Sequence, residues 1–382
     1  MTTQDRHPAP DVQKIRYAVV GLGWFAQAAA LPAFANTENS QVVALVSDDP
    51  TKRSEVAKKY AIAESQTYTY AQYDDLLNSG TIDAVYIALP NQLHCDYTVR
   101  AATAGVHILC EKPMAVTVAE CEQMIAAAQE YNVKLAIAYR LHFDAANLQA
   151  IEIVKSGQIG EPRFFHSIFA QQTEAANSRM KAQSGSGAIE DIGIYCINAA
   201  RYIFQSEPIS VFATSASNQE ERFREVAEMT SAIMHFPGDR LATFTCSFGA
   251  AKLATYQVMG TGGNLHVEPA YASQADIKHV LAIDDQPKQE RTFAARDQLA
   301  AVFTYFSDCV LQDKQPEISG QEGLIDIKII RALKESIETG KFVAIDGIPS
   351  SQYRPTAAQI IERPPLQQQP QLVNAADPAG KS

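Results

Sequence analysis

Between residues 15 and 140, short apolar runs alternate with stretches of helical spacing. The runs at 15–20, 42–46, 84–89, 107–110 and 135–138 are rich in Val, Ile and Leu. Residues 51–60 and 117–131 instead carry the helical period. Strands apolar on both faces and separated by helices predict a parallel sheet covered on each side, an α/β Rossmann domain.

The texture changes after Arg140. A helical run at 145–156 leads through Gly157 and Gly160 to alternating segments at 163–170, 209–216, 230–236, 241–248, 255–259 and 264–267. Pro237-Gly238-Asp239-Arg240 reads as the turn between two of them. Serial strands joined by turns predict a large open, mostly antiparallel sheet, hence an α+β second domain. Helical spacing returns at 295–312 and 322–339. The expected organisation is an N-terminal arm (1–14), a dinucleotide-binding domain (15–140), an α+β domain (141–353) and a tail (354–382). The tail is rich in Pro, Gln and Ala and cannot bury enough apolar surface to order alone, so disorder, or an arm laid across a neighbour, is expected. No internal repeat is present.

Composition narrows the setting. The 382 residues, 46% hydrophobic and 20% charged, suffice for two cores. A net charge of −11 offers no basic surface for nucleic acid or anionic lipid. The six cysteines are widely spaced with no C-x-x-C pair, which supports neither a zinc site nor a disulfide framework. The polar N-terminus has no apolar signal region, and no window approaches the roughly 18 apolar residues of a membrane span. A cytoplasmic protein handling small molecules is expected.

The first apolar run enters Gly21-Leu22-Gly23-Trp24-Phe25-Ala26 and then an alanine-rich helix. Gly21 permits the tight turn, Gly23 lets the backbone approach a pyrophosphate, and Ala26 allows close helix–sheet packing. The helix N-terminus presents N–H groups and a positive dipole end to phosphate. The second run should end beside the adenosine ribose. If Ser47 is its last residue, Ser47 with Lys52 or Arg53 suits the 2′-phosphate of NADP. If the register slips by one, Asp48 takes that place and favours NAD. NADP(H) is the preferred expectation, with NAD(H) as the alternative; Lys52 and Arg53 could also simply solvate a helix face.

Two further runs end in Leu89-Pro90-Asn91 with His94, and in Glu111-Lys112-Pro113. In an open parallel sheet both ends fall on the ligand-binding edge, which puts Asn91, His94 and Lys112 near a nicotinamide. Asp191 and Tyr195 lie four apart, so on a helix they share a face. By themselves they read rather as a capping Asp and a core Tyr.

Together, Gly21-Leu22-Gly23, Leu89-Pro90-Asn91 with His94, Glu111-Lys112-Pro113 and Asp191 with Tyr195 resemble the glucose–fructose oxidoreductase/inositol dehydrogenase (Gfo/Idh/MocA) family. The likeness covers roughly residues 15–353. It is strongest to the glucose–fructose oxidoreductase branch, through stretches such as 138–144, 44–47 and 220–223. It implies a sugar or polyol substrate and a homodimer or homotetramer built on the outer face of the second sheet. It also implies a cofactor-binding set extended to Trp24, Phe25, Leu89, Pro90, Glu111, Tyr139 and Arg140. Two departures stand out. Residues 177–181 replace the Trp-Arg of many relatives, and the twin-arginine leader of periplasmic members is absent.

The resemblance makes Tyr195 the proton-transfer residue, where many relatives carry histidine. A phenol ordinarily titrates near ~10 and needs a neighbouring cation to act near neutrality. Lys112 would supply that charge and bond the reacting oxygen, while Asp191 would orient the substrate or Lys112. The expectation is therefore an NADP(H)-dependent oxidoreductase with Lys112, Asp191 and Tyr195 at its centre. Rival expectations are an enzyme that keeps NADP(H) bound and exchanges hydride between two sugars, and a non-catalytic dinucleotide sensor.

Overall fold

The computed structural model describes residues 13–175, 177–348, 354–367 and 370–377. Residues 1–12 of the expected N-terminal arm lie outside them.

The first domain is a six-stranded parallel sheet in the order β3-β2-β1-β4-β5-β6. Its strands are β1 (Ile15–Val20), β2 (Ser40–Val46), β3 (Thr67–Tyr68), β4 (Ala84–Ile87), β5 (His107–Cys110) and β6 (Leu135–Ile137). β1 and β4 are almost wholly buried, Arg16 being the one charged residue in either, as apolar strands covered by helices on both faces require. The covering helices are α1 (Leu31–Ala33), α2 (Pro50–Lys59), α3 (Tyr73–Leu77), α4 (His94–Thr103) and α5 (Val118–Glu130). α1 continues a π-helical turn over Ala26–Ala30. Local chemistry starts several of these. Asp49 caps α2 by accepting from the Lys52 amide, and Thr117 with Glu120 closes a capping box on α5. Chain order reverses between β1 and β4, which opens the ligand crevice at their carboxyl ends.

After α6 (Ala145–Lys155), a nine-stranded sheet runs β14-β13-β12-β11-β7-β10-β9-β8-β15. Its strands are β7 (Pro162–Ala170), β8 (Ser210–Ala216), β9 (Met229–Phe236), β10 (Arg240–Ser247), β11 (Leu253–Gly260), β12 (Gly263–Glu268), β13 (Ile277–Ile283), β14 (Gln289–Phe293) and β15 (Val343–Ala344). β7 and β10 pair parallel; the remaining pairs are antiparallel. α7 (Ile194–Phe204) and α9 (Gly320–Thr339) pack on one face. On the other, Phe164 and Leu241 are register partners and both stay exposed, at 44% and 40%.

Two features depart from the sequence expectation. α8 (Gln298–Leu311), expected within the second domain, lies on the first sheet: the Tyr17 hydroxyl meets Ser307 Oγ at 2.8 Å and the Phe34 and Phe303 rings stack 4.2 Å apart. Its apolar face buries against β1 and β2, so the boundary near residue 141 divides the chain but not the core. The described part of the tail also lies against the rest of the chain. It borrows partners it cannot supply itself: Arg354 pairs with Glu207, Arg363 with Glu38, and Val373 exchanges two hydrogen bonds (2.8 and 2.9 Å) with the Gln27 amide. Its backbone bonds to both domains, with Ile361 N donating to the Phe143 carbonyl and the Arg363 carbonyl accepting from Asp297 N, and Ile360, Ile361 and Val373 pack against the core. Among the described residues no helix is long and apolar enough to cross a membrane.

Candidate active site

The crevice is framed by the turn after β1. Gly21 has φ +96°, and a Cβ there would lie 2.6 Å from the Ala88 carbonyl oxygen, so only glycine fits beside the end of β4. Gly23 is exposed and a Cβ on it would meet nothing, leaving open space above the turn at the start of the helix. Trp24 and Phe25 are half-buried beside it, and Ala26 is buried. This arrangement fits a dinucleotide pyrophosphate, with close backbone approach at Gly23 and a helix N-terminus behind it.

At the end of β2, Ser47 is buried and its hydroxyl accepts from the Asp49 amide at 3.3 Å. Ser47 follows the strand directly, and the Arg53 guanidinium folds back onto its carbonyl. Asp48 turns away to accept from the Tyr70 amide at 2.9 Å, and Asp49 is spent on capping α2. A hydroxyl with Lys52 and Arg53 on the adjoining helical turn suits a 2′-phosphate better than a free 2′-hydroxyl.

At the ends of β4 and β5, three residues are held differently from the sequence expectation. His94 is fully buried, with Nδ1 2.9 Å from the Pro113 carbonyl and Nε2 2.9 Å from the Leu89 carbonyl. Burial pushes its pKa below the ordinary value against the pull of those carbonyls. His94 thus stands between the two loops, able as a neutral ring to donate to one of the two carbonyls, with both ring nitrogens turned to backbone. Asn91 Nδ2 donates to the Gly185 carbonyl (3.1 Å) and Ser186 Oγ (3.2 Å), fastening the loop after β4 to the second domain. Glu111 accepts from the Tyr86 hydroxyl at 2.6 Å; burial pushes its pKa up, with Lys112 and Tyr86 opposing.

Lys112 reaches across to the second domain, where Nζ donates to the backbone carbonyl of Asp191 at 2.9 Å. Asp191 lies in a π-helical turn (Ile189–Gly193) that leads into α7, the kind of local widening often found at working sites. Its buried Oδ2 has no hydrogen-bond partner, and Arg179 Nε stands 3.9 Å away. Tyr195 follows one turn later. Lys112 Nζ lies 4.9 Å from its ring centroid, as does the Arg140 guanidinium carbon, and Arg140 Nε donates to the Tyr195 hydroxyl at 3.2 Å. Burial alone would raise the phenol's pKa, but the positive charges of Arg140 and Lys112 outweigh it and hold the group below its ordinary value.

An acidified phenol, an ammonium and a carboxylate oxygen without a hydrogen-bond donor converge here. Residues 15–139 match the family described as an oxidoreductase family with an NAD-binding Rossmann fold, and residues 147–266 match the GFO/IDH/MocA C-terminal domain. The chain belongs to the GFO/IDH/MocA oxidoreductase family. It is 35% identical to a D-xylose 1-dehydrogenase (NADP(+)) of Haloarcula marismortui over 87% of this chain and 93% of that protein. The aldose–aldose oxidoreductase of Caulobacter crescentus, solved with glycerol, superposes with a TM-score of 0.83 at 34% identity, covering 87% of this chain and all of that one. A 3-ketoreductase from Actinomadura kijaniata, solved with NADP and TDP-benzene, gives a TM-score of 0.76 at 25% identity over 85% of this chain and 98% of that one.

Within this family framework, two residues expected to hold cofactor point their side chains elsewhere. The Tyr139 hydroxyl donates to Asp326 Oδ2 at 2.7 Å, in a buried ion cluster where Arg201 pairs with Glu207, Glu322 and Asp326. Arg140 is spent on Tyr195, on Gln298 Oε1 and on the Tyr271 carbonyl (2.6 Å). Both side chains follow the end of β6, and only the packing of the second domain against that edge decides their direction. Gln298 and Tyr271 escaped the sequence reading, because no local pattern marks residues that meet the site from so far along the chain, and Arg179 figured there only within the departing stretch 177–181. A cleft of about 130 Å³ adjoins Arg140, between Phe25 and Ala29 on one side and Ser273, Gln274 and Gln298 on the other, with Pro365 and Leu366 of the tail at its rim.

Proposed function

We propose that this enzyme moves a hydride between NADP(H) and a carbinol or carbonyl carbon of a sugar or polyol. The observation that carries this reading is the convergence of Lys112 and Arg140 on the Tyr195 phenol, opposite the glycine turn. When bound, the nicotinamide supplies the hydride chemistry. In the oxidation direction Tyr195 takes the proton of the substrate hydroxyl as the carbon gives up its hydride; in reduction it returns that proton. Lys112, with one N–H on the Asp191 carbonyl, has others to donate to the reacting oxygen. Asp191 Oδ2 accepts from a further substrate hydroxyl, which a polyhydroxylated substrate provides and a simple alcohol lacks. Ser47, Lys52 and Arg53 read the 2′-phosphate.

The D-xylose dehydrogenase likeness favours an aldose with NADP that dissociates after each turnover. A second reading, hydride exchange between two sugars with nucleotide retained, is favoured by the aldose–aldose oxidoreductase likeness. The tail supports it too, since residues 371–374 bond Lys59, Gln27 and Asp49 around the adenosine side of the crevice. The outer face of the nine-stranded sheet, with Phe164 and Leu241 exposed, is the proposed homo-oligomer contact. Six free, buried thiols suit a cytoplasmic setting. The deciding experiment screens aldoses, polyols and ketoses with NADP(H) and NAD(H) by nicotinamide absorbance, alongside nucleotide released on denaturation. Stoichiometric released NADP(H) favours retention. No turnover with any sugar under either cofactor would overturn the enzymatic reading in favour of a dinucleotide sensor.

A further inference from the structure

We infer that Arg140 is a positioning residue for proton transfer, holding the Tyr195 hydroxyl and stabilising its phenolate so that Lys112 is left to the substrate oxygen. This rests on the reading of Tyr195 as the proton-transfer residue.

The division of labour follows from which donor reaches which oxygen. Lys112 Nζ is near the Tyr195 ring, yet its hydrogen bond goes to the Asp191 carbonyl. Arg140 Nε reaches the phenolic oxygen itself, at 3.2 Å. A donor on that oxygen strengthens as the oxygen becomes anionic, so it favours phenolate over phenol.

Arg140 is also preset. It is 8% exposed, and its terminal nitrogens donate to the Tyr271 carbonyl at 2.6 Å and to Gln298 Oε1. Gln298 is fixed in turn by Asp144 Oδ2 and the Ala272 carbonyl, each 2.9 Å from its Nε2. The rotamer entropy of a long side chain is therefore spent on folding rather than at the moment of reaction. A guanidinium stays charged at every working pH, so its field on Tyr195 is constant.

The remaining groups facing Tyr195 make this field necessary. Glu111 from the end of β5 pushes the phenol up, and Asp191 adds a carboxylate one turn before it. Tyr86 from β4 couples to it weakly, and the Phe169 and Tyr271 rings pack on it without adding charge. Lys112 and Arg140 are the two cations that oppose burial, and Arg140 has the larger influence.

The test is the pH dependence of kcat for sugar oxidation with NADP. In Arg140→Met the rising limb should move up by about one to three pH units, the range for losing an opposite charge at this distance. Turnover near neutrality should fall at least tenfold and recover at high pH, with NADP affinity held. Arg140→Lys should restore part of the shift. In a Tyr195→Phe background, Arg140→Met should cost nothing further. A limb at the wild-type position, or an equal loss in the Tyr195→Phe background, overturns the inference. Should Arg140→Met not fold, Gln298→Leu, which loosens the clamp without touching Tyr195, should move the limb the same way by a smaller amount; an unmoved limb there is equally fatal. Wild-type turnover in Tyr195→Phe would instead remove Tyr195 from the reaction, a failure separate from this one.

Discussion

Lys112 donates to the backbone carbonyl of Asp191, 2.9 Å away, and not to its carboxylate. The ammonium is thereby anchored across the crevice, while the Asp191 carboxylate, ion-paired at 3.9 Å with Arg179, keeps Oδ2 without a hydrogen-bond donor. Lys112→Met should lower turnover by roughly 10² or more, the scale of lost proton-transfer catalysis, and leave NADP(H) affinity largely intact. Steady-state kinetics beside a fluorescence titration of cofactor checks both, and unchanged turnover would remove Lys112 from the mechanism.

The sign of the Tyr195 shift sets a pH dependence. A base must be deprotonated to accept a proton, so oxidation should speed up as pH rises through the Tyr195 pKa. Because Arg140 and Lys112 hold that pKa below the usual phenol value, the limb should lie below ~10. Reduction needs the phenol and should slow through the same limb. Paired pH profiles test this, and persistence of the limb in Tyr195→Phe would assign it to another group.

Ser47→Asp should move preference toward NAD by roughly tenfold or more. A carboxylate at this position repels a 2′-phosphate and accepts from a 2′-hydroxyl, an exchange of charge-assisted contacts of about 1.5–3 kcal/mol. The ratio of kcat/KM for the two cofactors reads the outcome; a constant ratio would move cofactor selection away from Ser47.

His94→Leu should destabilise the fold by roughly 1–3 kcal/mol, because the buried carbonyls of Leu89 and Pro113 lose the imidazole facing them. The loop that carries Lys112 would loosen with it, so turnover should fall as well. Denaturant midpoints at constant m-value check the first part, and a wild-type midpoint would contradict it.

Removing residues 354–382 should lower the thermal midpoint by a few °C, on the order of one lost stabilising contact set, and speed release of bound nucleotide. The first effect follows from losing Arg354 on Glu207, the second from losing the Gln27–Val373 pairing beside the glycine turn. Equal nucleotide release rates in full and shortened chains would deny the tail a part in retention.

The legible parts of the fold share a physical cause. β1 and β4 read clearly because both faces are buried, and α2 and α5 because Asp49 and Thr117 mark their starts. β14 is exposed along most of its length at a sheet edge, and β3 and β15 are two residues each, so none carries a hydrophobic period. The site divides in the same way. Gly21, Gly23, Ser47 and Lys112 are recognisable because each follows a strand end, where topology alone fixes the neighbourhood. Side-chain direction was not recognisable: His94 and Tyr139 turn inward to buried partners, and Arg140 turns to Tyr195.

By itself the sequence determined the two-domain architecture, the dinucleotide turn and the place of Lys112, since strand periodicity and chain order suffice to bring strand ends to one edge; Asp191 and Tyr195 joined the candidate set only through the family resemblance. Only the tertiary structure decided which of these groups touch. Lys112 meets a carbonyl rather than a carboxylate, and Arg140 rather than Lys112 reaches the phenolic oxygen. It also decided that the tail is held and that α8 belongs to the first core. Contacts between residues far apart in the chain depend on how buried polar groups find partners once two domains close on each other, and that pairing leaves no periodic trace along the chain.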